Sequence, residues 1–335
     1  MRDAARLVAV LRDPQQSAAL TGADWTALIA VARAERLIGT LAHRLDGLAV
    51  PDAVAGLLAS ARLSAADGRV AALWEATMAV RALSSLGVPV ILLKGTAYVA
   101  AGLAAGVGRV IGDLDILVPR ARLDEAEAAL LAAGWEWVKP DPYDDAYYRR
   151  WMHELPPLIH RERDRMIDVH HTILPLTARV RPDAAALVAD CWPLEGGLAV
   201  LSHEDMVVHA VAHLFADGDL SGGLRNLWDI HCLLGEFAED GFAERLEARA
   251  HRHGLSREVA RALRLREALY GGGGRLTPID RLYRRRLLAR DGWGRTTSPV
   301  TQLAFYVRSH WLRMPPLMLA RHLWTKWRKG GPGPA

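Results

Sequence analysis

Three aspartates stand in short apolar stretches, where a carboxylate is costly to bury. Asp113 and Asp115 alternate with Leu114 and Ile116 in a strand-like segment, and Asp168 interrupts a second apolar run. Because side chains alternate between the two faces of a strand, Asp113 and Asp115 share one face, about 7 Å apart. Two like charges in one poorly hydrated place repel each other, and divalent cations between them relieve that repulsion. The pattern predicts an oxygen-ligand site for Mg²⁺ or Mn²⁺.

A Lys-Gly turn precedes the paired aspartates. The apolar run 88–93 predicts a buried strand, and Lys94, Gly95 and Thr96 follow it where a helical pattern begins. The start of a helix offers backbone N–H groups, glycine allows a ligand to approach closely, and lysine adds a positive charge. These features favour phosphate oxygens. The sequence therefore predicts a phosphate-binding turn beside the acidic strand.

A phosphate-binding turn and three carboxylates are the parts that two-metal nucleotidyl transfer requires. Four segments resemble a bacterial family of uncharacterised nucleotidyltransferases within the superfamily related to DNA polymerase beta: Leu93-Lys94-Gly95, Arg109, 113–118 (DLDILV) and 167–170 (IDVH). The resemblance is specific over 88–171 and weaker over 201–233. At the turn, the superfamily usually has Gly-Gly or Gly-Ser, whereas this chain has Gly95-Thr96, the form of the closer family.

The resemblance implies a function and a role for each of these residues. It implies that Asp113, Asp115 and Asp168 hold two Mg²⁺ (or Mn²⁺) ions and are the catalytic residues. The triphosphate of an NTP such as ATP is then bound by the turn and the following arginine: Lys94, Gly95, Thr96 and Arg109. An NMP group passes to an acceptor hydroxyl, and pyrophosphate leaves.

Further polar residues are candidates for supporting roles. His170 lies on the same strand face as Asp168, so it either orients a metal ligand or contacts the acceptor. His209 and His213 are four residues apart on a predicted helix, and Asp229 lies on the next helix. Such a histidine pair can bind metal, although buried packing is the alternative. Zinc-protease chemistry is not indicated, because no glutamate follows His209.

The arrangement of periodic segments predicts an α+β fold. We expect a small mixed β-sheet that forms a nucleotidyltransferase core, residues 87–175, embedded in helical regions. Apolar residues at three- and four-residue spacing predict an N-terminal helical region, 1–86, and a C-terminal helical region, 176–290. A basic, tryptophan-rich tail, 291–335, follows.

Several local expectations accompany this division. Residues 53–86 read as one long helix interrupted near Gly68, and the polar, tyrosine-rich stretch 141–151 reads as a loop. Residues 155–160 and 166–171 read as a hairpin. The prolines in its first half favour an edge strand.

Composition limits the classes of protein to consider. No apolar run reaches the ~20 residues that a transmembrane helix needs, and the N-terminus does not resemble a signal peptide, so we expect a cytoplasmic protein. The two cysteines, Cys191 and Cys232, have neither zinc-site nor disulfide spacing. The formal net charge is +4, yet 281–329 contains twelve lysines or arginines and the single acid Asp291.

The basic tail and the acceptor leave alternatives open. In 301–329, tryptophans interleave with basic residues, which suits peripheral attachment to an anionic membrane surface, whereas packing of a terminal helix on the domain is the simpler interpretation. The whole chain could also be an inactive nucleotide-binding or regulatory protein, or an RNA-binding module, although no RNA-binding motif is present and sequence-specific nucleic-acid binding is not indicated. The acceptor could be a small molecule, a peptide, a protein or an RNA end.

Overall fold

A seven-stranded mixed sheet lies at the centre of the computed structural model, which describes residues 3–138 and 141–313 and the single positions 315 and 324. The strands in chain order are β1 (Val90–Leu92), β2 (Asp113–Leu117), β3 (Trp135–Trp137), β4 (Leu158–His160), β5 (Met166–His170), β6 (Trp192–Pro193) and β7 (Leu198–Val200). Their order across the sheet is β3-β4-β5-β2-β1-β7-β6. The α+β fold predicted from the sequence is confirmed.

The register of the central strands decides which side chains become neighbours. β2 runs parallel to β5, with Asp115 opposite Asp168, and antiparallel to β1, with Leu117 opposite Ile91. β1 also pairs in parallel with β7, whereas the remaining pairs are antiparallel. Every residue of β1 is buried, as its apolar sequence predicts for a strand covered on both faces.

Along the chain, α-helices lie before, between and after these strands. They are α1 (Asp3–Arg12), α2 (Gly22–Ala34), α3 (Ile38–Arg44), α4 (Asp52–Leu83), α5 (Lys94–Ala100), α6 (Leu123–Ala132), α7 (Pro142–Trp151), α8 (Ala184–Ala189), α9 (His203–Ala212), α10 (Gly223–Glu236), α11 (Phe242–Arg252), α12 (Ser256–Tyr270), α13 (Pro278–Leu287) and α14 (Pro299–Arg313). A π-helical turn, His213–Asp217, continues α9. One apolar core, from Ala4 to Phe305, joins these helices to the sheet.

Four local expectations from the sequence are corrected. The helix α4 is continuous through Gly68, and a Cβ added at Gly68 would meet no atom within 4 Å. Residues 142–151 form helix α7 rather than a loop, because Asp141 accepts a hydrogen bond from the backbone N–H of Tyr143 and a proline is tolerated at the first helical position. The region 176–290 is not purely helical, since it supplies β6 and β7.

The fourth correction concerns the predicted hairpin. β4 and β5 do pair antiparallel, but β4 is an interior strand because β3 lies on its other side. Pro156 and Pro157 precede the strand rather than interrupt it, and the carbonyl of Pro157 accepts a hydrogen bond of 3.2 Å from the N–H of Val138. The prolines therefore mark the start of a strand and not the edge of the sheet.

The C-terminal tail is described only in part. Residues 299–313 form α14, and of the residues that follow only the single positions 315 and 324 are described, so the rest of the basic, tryptophan-rich tail lies outside the described residues. The expectation of a helix break at Pro315-Pro316, two consecutive prolines that a helix does not accommodate, lies partly outside them too. Within the part of the chain that the structure describes, no helix is both long and apolar enough to cross a membrane.

Candidate active site

The three predicted aspartates converge on one face of the sheet. Asp115 lies directly opposite Asp168 on the neighbouring strand, and Asp113 is two residues earlier on β2. One carboxylate oxygen of each lies within 4.8 Å of the other two. Asp113 is exposed, Asp168 is half-buried and Asp115 is buried. Three carboxylates of graded exposure at this spacing form a donor set that fits a hard divalent cation such as Mg²⁺ or Mn²⁺.

Asp115 is compensated by two basic side chains. Nζ of Lys94 lies 2.6 Å from Oδ1 of Asp115, and Nε2 of His170 lies 2.9 Å from the same oxygen. Burial acts to raise the pKa of Asp115, but Lys94 and His170 outweigh burial and hold the pKa of that carboxyl well below its usual range. Burial acts to lower the pKa of Lys94, but the Asp115 carboxylate outweighs burial and raises the lysine pKa above its usual value. Both groups are therefore charged.

Lys94 adopts a backbone conformation that is rare for its residue type. Its φ of +49° lies in the left-handed region, which costs a non-glycine residue on the order of 1 kcal/mol. The conformation occurs where β1 ends and α5 begins, and it directs the side chain toward Asp115. Backbone strain of this kind is concentrated at functional sites.

Asp168 has the opposite electrostatic environment from Asp115. Burial, followed by repulsion from Asp115 and Glu154, raises the pKa of Asp168 to about 7. A carboxyl with this pKa is only partly ionised in neutral solution. A cation that binds the three aspartates would stabilise its ionised form, so cation binding and proton release are linked at Asp168.

We expect the stability that Asp168 contributes to the metal-free protein to fall as pH rises from about 4 to about 7. Because the raised pKa of Asp168 makes the folded state bind the proton more tightly than the unfolded chain, its contribution is lost over this interval. Asp168→Asn should remove this slope and raise the free energy of unfolding at pH 8 by on the order of 2 kcal/mol, allowing for solvent screening. Urea denaturation in EDTA at pH 5 and pH 8 measures both quantities.

A control variant isolates the contribution of this site. Glu162 is an exposed acid on the turn after β4, so Glu162→Gln removes the same charge without touching the aspartates. It should keep the pH dependence of the wild type. An Asp168→Asn protein whose stability follows the same pH curve as the wild type would contradict the assignment.

Gly95 provides space for an arginine. A Cβ at this position would lie 2.4 Å from Nε and 3.0 Å from Cδ of Arg109. The Arg109 guanidinium forms an ion pair with Asp229 and stacks over the ring of Tyr98, 5.5 Å from its centroid. Asp229 also accepts a 3.0 Å hydrogen bond from Nε of Arg225. Arg109 is thus held in a fixed position against the Lys-Gly turn.

Gly95→Ala is expected to displace Arg109 and to destabilise the protein by about 1–3 kcal/mol, as overpacking does elsewhere. Nucleotide affinity should fall as well if Arg109 contacts phosphate. Gly112→Ala is the matched control, because an added Cβ there meets no atom within 4 Å; its effect on stability should stay within about 0.5 kcal/mol. Thermal unfolding compares the two variants, and equal losses of stability would refute a steric role for Gly95.

Thr96 and the predicted histidine pair are placed differently from the other candidates. Thr96 is only 1% exposed and is not among the residues that line the cleft described below, and its Oγ1 has no hydrogen-bond partner within the described residues. His209 is buried, and burial together with Lys94 holds its pKa well below the usual value. His213 begins the π-helical turn and lines the cleft. Among the described residues, neither of these histidines belongs to a group of three or more potential metal ligands.

A basic cleft of 480 Å³ opens in front of Asp113 and Asp115. This volume lies in the range of small-molecule sites, about 300–1,000 Å³. Its cationic lining comes from five separate parts of the chain: Arg36, Lys94, Arg109, Arg225 and Arg290. Arg36 is exposed and has a left-handed φ of +55°. No sequence pattern assigned Arg36 and Arg290 to the site, because only the packing of helices brings them to the acidic strand.

Glu154 is a fourth acid that the sequence analysis missed. Residues 153–155 lie antiparallel to the end of β5, since the N–H of Leu155 donates to Val169 and the N–H of His171 donates to His153. Oε2 of Glu154 consequently lies 3.3 Å from Nδ1 of His170. Burial lowers the pKa of His170, but the hydrogen bond to Asp115 and the charge of Glu154 outweigh it and raise that pKa. No periodic pattern marks Glu154 in the sequence.

The three clustered carboxylates beside the basic cleft form a site that could hold divalent cations. Residues 21–271 match the family described as uncharacterised nucleotidyltransferase, and the chain belongs to that family. The match contains the three aspartates, the Lys-Gly turn and Arg109. Searches among curated proteins and among solved structures found no match.

Proposed function

We propose that the protein transfers an NMP group from an NTP to an acceptor hydroxyl. The observation that carries the proposal is the convergence of Asp113, Asp115 and Asp168 within 4.8 Å of one another, with Asp113 and Asp115 lining a basic cleft, in a chain of a nucleotidyltransferase family. In the reaction the acceptor oxygen bonds to the α-phosphorus, the bond from that phosphorus to the bridging oxygen breaks, and pyrophosphate leaves.

The three aspartates would hold Mg²⁺ or Mn²⁺. When bound, such ions neutralise triphosphate charge and activate the acceptor hydroxyl. The protein side chains divide the remaining work. His170 holds Asp115 through a 2.9 Å contact, and half-buried Asp168 would take up the proton that the hydroxyl loses.

Cationic side chains would bind the triphosphate. Lys94 lies at the cleft with its Nζ 2.6 Å from Asp115, so a phosphate would compete with that carboxylate for the same cation. Arg109 and Arg225 share Asp229 as an anionic partner and line the same cleft. When a phosphate replaces a carboxylate as the partner of one of these side chains, the cation keeps an anionic neighbour. Phosphate binding therefore leaves no buried cation unpaired.

The direct test combines nucleotide consumption with transfer of label. The purified protein is incubated with each α-³²P-labelled NTP, Mg²⁺ and a fractionated cell extract, and pyrophosphate release and labelled products are measured. We expect both signals with one preferred NTP, and neither signal in EDTA. Mg²⁺-dependent NTP binding without pyrophosphate release in any fraction would instead support the alternative of an inactive nucleotide-binding protein.

We propose a peripheral membrane attachment as a second property, supported by helix α14. Four of its apolar side chains follow one another at three- and four-residue spacing and are exposed: Val300 (81%), Leu303 (62%), Val307 (57%) and Trp311 (48%). This stripe precedes the basic part of the tail. An exposed apolar stripe beside cationic residues suits an anionic lipid surface.

Cosedimentation with anionic vesicles tests the attachment. The intact protein should sediment with them at low salt and be released by added salt, because the cationic contribution is screened. Leu303→Gln with Val307→Gln should abolish sedimentation. The matched control is Leu63→Gln with Val70→Gln, which changes two equally exposed side chains on α4. Equal binding by both double variants would exclude α14 as the anchor.

A further inference from the structure

A second cluster of potential metal ligands lies behind the aspartates. His153, Glu154 and His170 each place one ligand atom within 4.8 Å of the others. Oε2 of Glu154 lies 3.3 Å from Nδ1 of His170 and 3.7 Å from Nε2 of His153. The two rings are tilted by 34°, and their centroids are 5.2 Å apart. Both histidines are more than nine-tenths buried.

Each histidine of this cluster has a buried ring nitrogen that no hydrogen bond within the described residues satisfies. The buried Nδ1 atoms of His153 and His170 have no hydrogen-bond partner. Nδ1 of His170 is close to Oε2 of Glu154 but lacks the alignment of a hydrogen bond. A buried polar atom without a hydrogen-bond partner destabilises the folded protein. A buried imidazole nitrogen that lies beside a carboxylate in this way, as Nδ1 of His170 does, is typical of a site that a cation would complete.

The backbone holds the cluster in place. His153 and Glu154 belong to the segment that lies antiparallel to the end of β5, and His170 is the last residue of β5. Two chain segments of one sheet therefore present the ligands. On its other side, His170 places Nε2 2.9 Å from Oδ1 of Asp115. A histidine that binds metal through one nitrogen commonly donates its other N–H to a carboxylate in this way.

We propose that His153, Glu154 and His170 bind a transition-metal ion of the Zn²⁺ class, at a site separate from the three aspartates. Two imidazole nitrogens and one carboxylate oxygen suit Zn²⁺, whereas Mg²⁺ prefers oxygen ligands alone. A metal on Nδ1 of His170 keeps the proton on Nε2, so the ring donates permanently to Asp115. The site does not depend on nucleotidyl transfer.

The first experiment uses the wild-type chain. Metal-free protein is titrated with ZnCl₂ in a large excess of MgCl₂, which occupies the oxygen-rich aspartate site, and the bound zinc is examined by X-ray absorption. We expect one Zn²⁺ per chain with the scattering signature of two imidazoles. Absence of zinc binding, or a ligand set of oxygens alone, overturns the proposal.

Variants then locate the site. His153→Gln should weaken zinc binding about 100-fold or more, because loss of even an outer-shell partner costs 10–100-fold. His160→Gln is the matched control, since His160 is equally buried in the same sheet but packs on Trp135. Asp113→Asn should also leave zinc affinity unchanged, whether or not transfer activity exists. Zinc affinity that survives His153→Gln, or is lost in Asp113→Asn, overturns the assignment.

Discussion

Asp113→Asn is expected to reduce nucleotidyl transfer by about a thousandfold or more and to leave the fold intact. The loss follows from the weaker hold of a neutral amide on a divalent cation, because a metal ion contributes several kcal/mol to such reactions. Asp113 is exposed, and no ion pair within the described residues involves it. Its replacement should therefore change the free energy of unfolding by no more than about 0.5 kcal/mol.

The measurement needs both activity and stability. Label transfer from the preferred NTP gives the activity, and urea denaturation in EDTA gives the stability. Asp124→Asn is a suitable control, because Asp124 is an almost fully exposed acid on α6, away from the cleft. It should retain full activity. Turnover by Asp113→Asn at the wild-type rate would remove Asp113 from the proposed catalytic residues.

Asp115→Asn should abolish transfer too, but it should also destabilise the protein, by about 2–4 kcal/mol. From the sequence alone, removal of one of two neighbouring carboxylates should relieve repulsion and preserve or increase stability. The ion pair with Lys94 reverses this expectation, because the variant leaves a partly buried ammonium and the buried His170 without their charged partner. Loss of one member of a buried pair is costly for this reason.

A double variant distinguishes the two effects. Adding Lys94→Met to Asp115→Asn removes the uncompensated cation, so it should recover more than 1 kcal/mol of stability, while transfer stays abolished. Urea denaturation of both single variants and of the double variant measures the coupling energy. Additive effects of the two substitutions would show that Lys94 and Asp115 are not energetically paired.

The sequence predicted the acidic strands because their signals are local. Alternation along 113–117 was sufficient to place Asp113 and Asp115 on one face, and the parallel register of β2 and β5 in the structure brings Asp168 opposite Asp115. The Lys-Gly turn at Gly95 was likewise predicted from the sequence. The acidic strands and the turn depend on residues that are neighbours in the chain, so spacing carries that information, whereas the register of β2 and β5 depends on pairing of distant segments.

The parts that the sequence did not predict depend on contacts between distant segments. Glu154 reaches His170 through pairing of an irregular segment with β5, and Arg290 reaches the cleft from the end of α13. β6 and β7 are two and three residues long, which is too short for a period to be recognised. Asp141 followed by Pro142 signals a helix start as well as a turn, and only packing decides between them.

The pairing of β1 with β7 has a consequence for how the chain folds. β1 is buried and apolar, yet its parallel partner comes from residues 198–200, about a hundred positions later. A fragment that ended at residue 175 would contain all three aspartates but would expose one edge of β1, and unpaired apolar edges promote aggregation. During synthesis, β1 can therefore pair with β7 only after the segment through Val200 has left the ribosome. We expect the smallest unit that can fold around these aspartates to extend at least that far.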